Sequence, residues 1–217
     1  MLQTKDLTYS YDGKHLLHFP DITCQKGEHW LILGQSGCGK TTLLHLLGGL
    51  LTPTAGTVTV AGTALERLSA SQLDHFRGQH IGIIFQVPHF IRSLNVGENL
   101  ALAQHLAGLP VNYDRIQSLL DRLGIGHKTN RPPEALSQGE RQRAAIARAL
   151  VNKPALILAD EPTSALDDVN ADEVAKLLEE TAADVNATLL IVTHDSRLKS
   201  HFSKKIELEP QQVQSTL

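Results

Sequence analysis

Cysteine is scarce in this chain. Cys24 and Cys38 are the only two among 217 residues, too few for a disulfide framework, and that usage suits a reducing compartment. An excess of one charge is also missing. Twenty basic against 23 acidic side chains leave a formal net charge of −3, which gives no global field for drawing in DNA or RNA. No convincing local basic patch makes up for it, so no nucleic-acid partner is expected. Long apolar runs are absent too: none approaches the roughly 18 residues of a membrane span. The N-terminus lacks a basic segment followed by an apolar stretch, so neither a signal peptide nor an anchor is expected and the protein should be soluble by itself. The eleven histidines are scattered, with no H-E-x-x-H arrangement and no Cys/His cluster, which excludes that kind of metal centre and leaves most of them as surface or packing residues. The length suits one large domain, 1–217, which should bury about 70% of the surface its unfolded form exposes.

One stretch organises what is present. Gly34-Gln35-Ser36-Gly37-Cys38-Gly39-Lys40-Thr41 fits G-x-x-x-x-G-K-[ST]. The apolar run Trp30-Leu31-Ile32-Leu33 precedes it and the helix-like Thr42-Leu43-Leu44-His45-Leu46-Leu47 follows, so the context is strand, tight loop and helix. Glycines let backbone N–H groups turn inward, and the helix start adds positive dipole, so the loop can cradle a polyphosphate. Lys40 would reach the β- and γ-phosphates and the Thr41 hydroxyl would ligate Mg²⁺. Cys38 serves there as a small side chain.

Short alternating runs at Leu2-Gln3-Thr4, Leu7-Thr8-Tyr9 and Ile22-Thr23-Cys24, with turn signals at Asp12-Gly13 and Lys26-Gly27, predict antiparallel strands ahead of the loop. Tyr11 is either a half-buried strand tyrosine or a ring that stacks on adenine. Residues 56–62 read as another short strand bounded by glycines. The apolar run 81–85 ends in Gln86, whose carbonyl can ligate Mg²⁺ or position water if it is more than a solvated strand-end amide. From about 87 to 153 the pattern turns helical, with helix-period stretches at 96–107 and 112–123 and a Gly/Pro-rich break from Gly124 to Pro133. At its end, Leu136-Ser137-Gln138-Gly139-Glu140 opens a strong helix. Ser137 and Glu140 fit a capping box that needs no function, or, with the same geometry, a second anion site at the helix start.

The run Ala155-Leu156-Ile157-Leu158-Ala159 predicts a central parallel strand that stops at Asp160-Glu161. Carboxylates at a strand's C-terminal end lie where α/β sheets bind ligands. Asp160 can hold Mg²⁺ through water, and Glu161 can orient or deprotonate an attacking water. Asp167-Asp168 opens a helix to about 183, Thr188 to Thr193 is another buried strand, and His194 at its end can donate a hydrogen bond to a γ-phosphate oxygen. A final strand is expected from Lys204 to Glu209.

Taken together, these residues resemble the nucleotide-binding subunit of an ATP-binding cassette (ABC) transporter over nearly the whole chain. Residues 136–140 resemble that family's LSGGQ signature, ahead of Asp160-Glu161. The resemblance implies an α/β fold: a RecA-like P-loop NTPase core, an antiparallel β subdomain and an inserted α-helical subdomain. It implies an adenine contact at Tyr11, a nucleotide site along residues 34–42 that includes Thr42, a Q-loop at Gln86, Walker B carboxylates at Asp160 and Glu161, a D-loop at Ser164-Ala165-Leu166-Asp167 and a switch histidine at His194. It further implies ATP and Mg²⁺ and a head-to-tail dimer in which each ATP lies between one copy's loop and the other's Ser137, Gly139 and Glu140. Hydrolysis at Glu161 would release that dimer and move a separate membrane permease, docked near the Gln86 to Val96 loop, with the chain on the cytoplasmic face of the inner membrane.

Residues 81–86, 158–163 and the Glu140 ending of the signature are similar to the branch with lipoprotein-releasing, macrolide-efflux and cell-division ATPases. That branch implies export or lipid-side extraction. Its cell-division members imply the alternative of force transmitted to a membrane partner without cargo. Gln138 replaces the first signature glycine, Ser164-Ala165 replaces the usual Gly-Asn, and Pro88 and Arg92 depart from the branch at the implied permease contact. A soluble ABC ATPase of DNA repair or translation is disfavoured, since 217 residues hold neither a long coiled-coil insertion nor two cassettes.

Overall fold

Two hydrophobic patterns sort the strands into two sheets. The computed structural model describes residues 1–164 and 168–209, and the side chains of all of these except 168–170 and 196. The chain opens with β1 (Leu2–Tyr9), β2 (Leu17–His18) and β3 (Thr23–Cys24), crosses into β4 (His29–Gly34), and runs through helix α1 (Lys40–Leu47) to β5 (Ala55–Val60) and β6 (Thr63–Ala64). All strands of this group except β4 pair antiparallel, in the order β2-β1-β5-β6 with β3 also on β1. The two runs 2–4 and 7–9 are one strand rather than two. Asp6 sits between them at φ 50°, and the register with β5 shifts between Lys5 and Thr8, so a local irregularity interrupts the alternation without ending the strand.

Next come α2 (Ala70–His80), β7 (Ile81–Ile84), α3 (Val96–Leu106), α4 (Tyr113–Arg122), α5 (Gln138–Leu150), β8 (Leu156–Asp160), α6 (Asp168–Asp184), β9 (Thr188–Thr193) and β10 (Lys204–Leu208). The second sheet, β10-β4-β9-β8-β7, is wholly parallel. Its strands are apolar on both faces. Leu31 and Leu33 of β4, Ile157 of β8 and Ile191 of β9 join the core that also takes in α3 to α6; Ile32, Leu158 and Leu190 join the core beneath α1 and the antiparallel sheet.

Helix α2 has no counterpart among the sequence expectations. It buries none of its residues, so it lacks the apolar stripe that betrays a helix, and its one sequence signal is the capping box of Ser69 with Gln72. Helices α3, α4 and α5 pack on one another within the stretch between β7 and β8, and α5 also packs on β7.

Buried Asn99 fixes the course of the chain between β7 and α3. Its Nδ2 donates to the carbonyls of Ile91 (3.1 Å), Leu94 (3.1 Å) and Asn95 (2.9 Å), while its Oδ1 accepts from the Ile91 N–H at 2.9 Å. Asn99→Ala strands these backbone groups, and a loss of about 1–3 kcal/mol in unfolding free energy is expected from urea denaturation. No change would show that Asn99 does not hold this segment.

Candidate nucleotide site

The parallel register brings three strand ends to one edge. Leu33 pairs with Thr193 and Asp160 with Val192, so β4, β8 and β9 release their chains side by side at the sheet's C-terminal rim. Strand β4 runs into the loop of residues 34–39. A Cβ on Gly34 would lie 2.5 Å from Cys38 Sγ and 2.9 Å from the Leu208 carbonyl oxygen, so only glycine fits there. Gly39 precedes α1 at φ 95°, a conformation that favours glycine, and no side chain caps the helix. The first N–H groups of α1 therefore have no capping side chain, and Cys38 packs beneath the loop at 2% exposure.

Lys40 is buried. Its Nζ donates to the carbonyls of Gly34 (2.9 Å) and Gln35 (3.0 Å), folding the ammonium back along the loop. The Thr41 hydroxyl donates to Asp160 Oδ2 at 2.9 Å, tying the loop helix to the end of β8. Asp160 Oδ1 is buried and has no hydrogen-bond partner among the described residues. Burial is the main cause that pushes the Asp160 carboxyl above its usual range; the Thr41 hydroxyl opposes this and the neighbouring Glu161 adds to it. A cation beside Oδ1 would remove that cost. Thr42 shares a 3.0 Å hydrogen bond with the Tyr11 hydroxyl, and Tyr9 supports the Tyr11 ring edge-on at 4.8 Å. The ring is 68% exposed beside the loop, as a stacking surface requires.

Glu161 occupies the left-handed region at φ 46°, where a residue other than glycine is strained. Its carboxylate is gripped: Thr193 Oγ1 donates to Oε2 at 2.7 Å, the His194 N–H donates to Oε1 at 3.1 Å, and His194 Nδ1 lies 2.7 Å from Oε1. Glu161 and His194 are therefore in direct contact. Gln86 reaches the same neighbourhood more loosely, with Nε2 3.5 Å from Ser164 Oγ, which in turn donates to the Glu161 carbonyl at 3.0 Å. Ala165, Leu166 and Asp167 of the D-loop stretch lie outside the described residues.

The signature turn stands apart. Ser137 and Glu140 close a capping box at the start of α5, with the Ser137 N–H on Glu140 Oε2 at 2.8 Å and the Glu140 N–H on Ser137 Oγ at 3.3 Å. The Ser137 N–H and Lys128, 3.2 Å away, hold the Glu140 carboxyl below its usual range. A Cβ on Gly139 would meet nothing within 4 Å. None of the bonds these residues make reaches the loop of residues 34–42. The same chain thus brings Tyr11, Lys40, Thr41, Thr42, Asp160, Glu161, His194 and Gln86 to one rim, while Ser137, Gly139 and Glu140 make no hydrogen bond to residues 34–42 among the described residues.

Some residues that shape the site gave little sign of it in the sequence. Thr193 grips Glu161, and its Oγ1 also accepts the Asp195 N–H at 2.9 Å. The Asp195 carboxylate, held low chiefly by Arg197, accepts from Thr163 at 3.2 Å. Arg148 of α5, its guanidinium 4.9 Å over the Phe90 ring, donates to the His89 carbonyl and so ties the segment after Gln86 to the signature helix. A hydroxyl at the end of a buried apolar strand was the one readable signal, at Thr193.

Replacing Lys40 with alanine removes the charge that this loop folds around. Binding of a fluorescent ATP analogue is expected to weaken roughly 10- to 100-fold, the value of one or two hydrogen bonds to a charged group. Unchanged affinity would take Lys40 out of the site.

Residues 17–164 match the family model described as ABC transporter. The chain is 40% identical to the lipoprotein-releasing system ATP-binding protein LolD of Shewanella denitrificans over 196 residues, covering 89% of this chain and 84% of that protein. It is 43% identical to LolD of Xanthomonas oryzae pv. oryzae over 190 residues, covering 87% and 78%. Among solved structures, the dimeric post-hydrolysis state of the ATP-binding cassette MJ0796 bound to ADP and Pi superimposes with a TM-score of 0.87 at 31% identity, covering 99% of this chain and 97% of that one. The cassette cbiO1 from Clostridium perfringens gives 0.86 at 29% identity, covering 98% and 86%. The α/β architecture of parallel core, antiparallel sheet and helices is the ABC ATPase fold, and with a phosphate loop, paired strand-end carboxylates and a signature helix on one chain, this protein belongs to the ABC transporter family as an ATP-binding, ATP-hydrolysing cassette.

Proposed function

We propose that two copies of this chain pair head to tail around two ATP molecules and drive a separate membrane permease that releases lipoproteins from the bilayer. The observation that carries this is the one-sidedness of the site. The loop of residues 34–42 and the exposed start of α5 at Ser137 and Gly139 both suit phosphate, yet no hydrogen bond joins them within one chain among the described residues. A second copy, placed head to tail, brings Ser137 and Gly139 to the far side of the nucleotide, with Glu140 fixing the turn that presents them. The MJ0796 cassette is a dimer, which supports the arrangement.

In this reading Tyr11 stacks on the adenine, and the loop from Gly34 through Gln35, Ser36, Gly37, Cys38 and Gly39 gives backbone N–H groups to the phosphates. Lys40 moves from the Gly34 and Gln35 carbonyls to the phosphate oxygens, exchanging two neutral acceptors for charged ones. The chemistry of the donor set fits Mg²⁺, since Thr41, Asp160 and Gln86 offer hard oxygens and the unpartnered Asp160 Oδ1 awaits a cation. Bound there, Mg²⁺ supplies positive charge to the phosphate oxygens. Glu161 accepts a proton from the attacking water, and its grip by Thr193 and His194 sets where that carboxylate points. His194, 64% exposed at its side chain, can exchange its 2.7 Å contact with Glu161 for a γ-phosphate oxygen while its backbone N–H stays on the carboxylate. Residues 1–217 work as one cassette, in which the helical part at about 87–153 carries the signature.

No described helix is long and apolar enough to cross a membrane, and in this reading the force acts on a separate polypeptide. An open groove of about 740 Å³, lined by Leu50, Ile83, Phe85, His89, Ala103 and Leu106 among others, lies beside the segment that follows Gln86, and Leu106 is 71% exposed. In this reading a cytoplasmic helix of the permease docks in this apolar trough, with the chain working on the cytoplasmic face of the inner membrane. Lipoprotein as the cargo rests on the LolD relatives.

Glu161→Gln in the full chain should keep ATP binding, accumulate as a dimer with ATP on size-exclusion chromatography and hydrolyse roughly 10²- to 10⁴-fold more slowly. Hydrolysis at the parental rate would remove Glu161 as the base. Captured from detergent-solubilised membranes with ATP and Mg²⁺, the same variant should bring down a polytopic membrane protein. In proteoliposomes that pair should release a lipid-modified protein only when ATP is hydrolysed; ATPase activity without release would leave force transmission in place of transport.

A further inference from the structure

One side of α5 faces a cavity of about 360 Å³ that the roles above leave without an occupant. Gln138, Arg141 and Gln142 line it from the helix, and Gln86, Glu161 and Ser164 line it from the other side. The helix residues are three and four apart, so they share one face. Gln142 is the buried member, 6% exposed, and its Nε2 has no hydrogen-bond partner among the described residues. Arg141 Nε is a second buried donor without an acceptor among the described residues. A buried amide left in that state is unfavourable, and its presence in a native fold asks for an explanation. Side-chain acceptors on the side of the cavity facing the helix are the Gln86 amide oxygen, the Glu161 carboxylate and the Ser164 hydroxyl. Thr193 and His194 already hold the Glu161 carboxylate, whereas Gln86 is exposed and, among the described residues, held by its 3.5 Å approach to Ser164.

We propose that Gln142 is a positioning residue for hydrolysis: its side-chain N–H donates to the Gln86 side-chain oxygen when the cavity closes around bound nucleotide, fixing Gln86 beside Glu161. Resting on the roles proposed above for Gln86 and Glu161, the proposal adds a link within one chain between the signature helix and the hydrolytic side of its own site. The signature turn contacts the nucleotide of the opposite site, and Gln142 lies one helical turn further along, so closure of one site sets the geometry of the other. Gln142 touches neither nucleotide nor water and acts through Gln86.

The test compares Gln142→Met, close in shape but without the donor, with Gln86→Ala, with the double variant and with Glu161→Gln, all in the full chain. For Gln142→Met, kcat for ATP is expected to fall about 10- to 100-fold through misplacement of Gln86. Affinity for ATP and the thermal midpoint without nucleotide should be unchanged or raised, because an unsatisfied buried donor has been removed. In the Gln86→Ala background the same substitution should cost nothing more, since both changes break one link. An unchanged kcat, or an equal further loss in the Gln86→Ala background, overturns the role of Gln142 while leaving Glu161 in place. A Glu161→Gln protein that hydrolyses at the parental rate overturns the underlying reading instead.

Discussion

The loop of residues 34–39, the Asp160-Glu161 pair and the Thr193-His194 pair depend on the register of three parallel strands. Pairing Leu33 with Thr193 and Asp160 with Val192 ends β4, β9 and β8 at the same rim. From there Gly34 opens the phosphate loop, Glu161 follows Asp160, and Thr193 stands where its hydroxyl meets the Glu161 carboxylate. A slip of one residue would exchange the two faces of a strand, each committed to a different core. Burial on both faces therefore guards the geometry of the site.

At that rim the polar groups constrain one another in pairs. Thr41 holds Asp160, Thr193 and His194 hold Glu161, and Tyr11 holds Thr42. Glu161 keeps a left-handed backbone that a glycine would adopt without strain, and the Val192 carbonyl fixes it by accepting the Glu161 N–H at 2.9 Å. Asp160 differs from its neighbour in retaining one buried oxygen without a partner among the described residues, which is the kind of electrostatic cost that a bound cation relieves.

The helices between β7 and β8 are tied to the rim by long polar side chains rather than by the apolar core alone. Asn99 sets the course of residues 91–95, Arg148 fastens His89 and Phe90 to α5, and Gln142 looks from α5 into the cavity beside Gln86. Polar links of this kind are directional, so they can be exchanged for others at little cost when the helices shift, which apolar packing resists. They tie the segment after Gln86, which borders the open groove lined by Phe85 and His89, to the signature helix.

Local chemistry was legible in the sequence. The glycine spacing of residues 34–41 specified the phosphate loop, continuous apolar runs specified the parallel strands, and the Ser137 and Glu140 spacing specified a helix start that the structure caps as a box. Each of these is a statement about neighbours along the chain, where periodicity and turn chemistry act. Helix α2 escaped because it buries no side chain, and β1 was divided because Asp6 breaks its alternation without breaking its pairing. Only the tertiary structure decided that Thr193 grips Glu161, that Asn99 binds residues behind it, and that Gln142 and Gln86 share a cavity. Those contacts join residues through the order of strands in a sheet or the crossing of packed helices, and side-chain type alone does not encode which distant backbone it will meet.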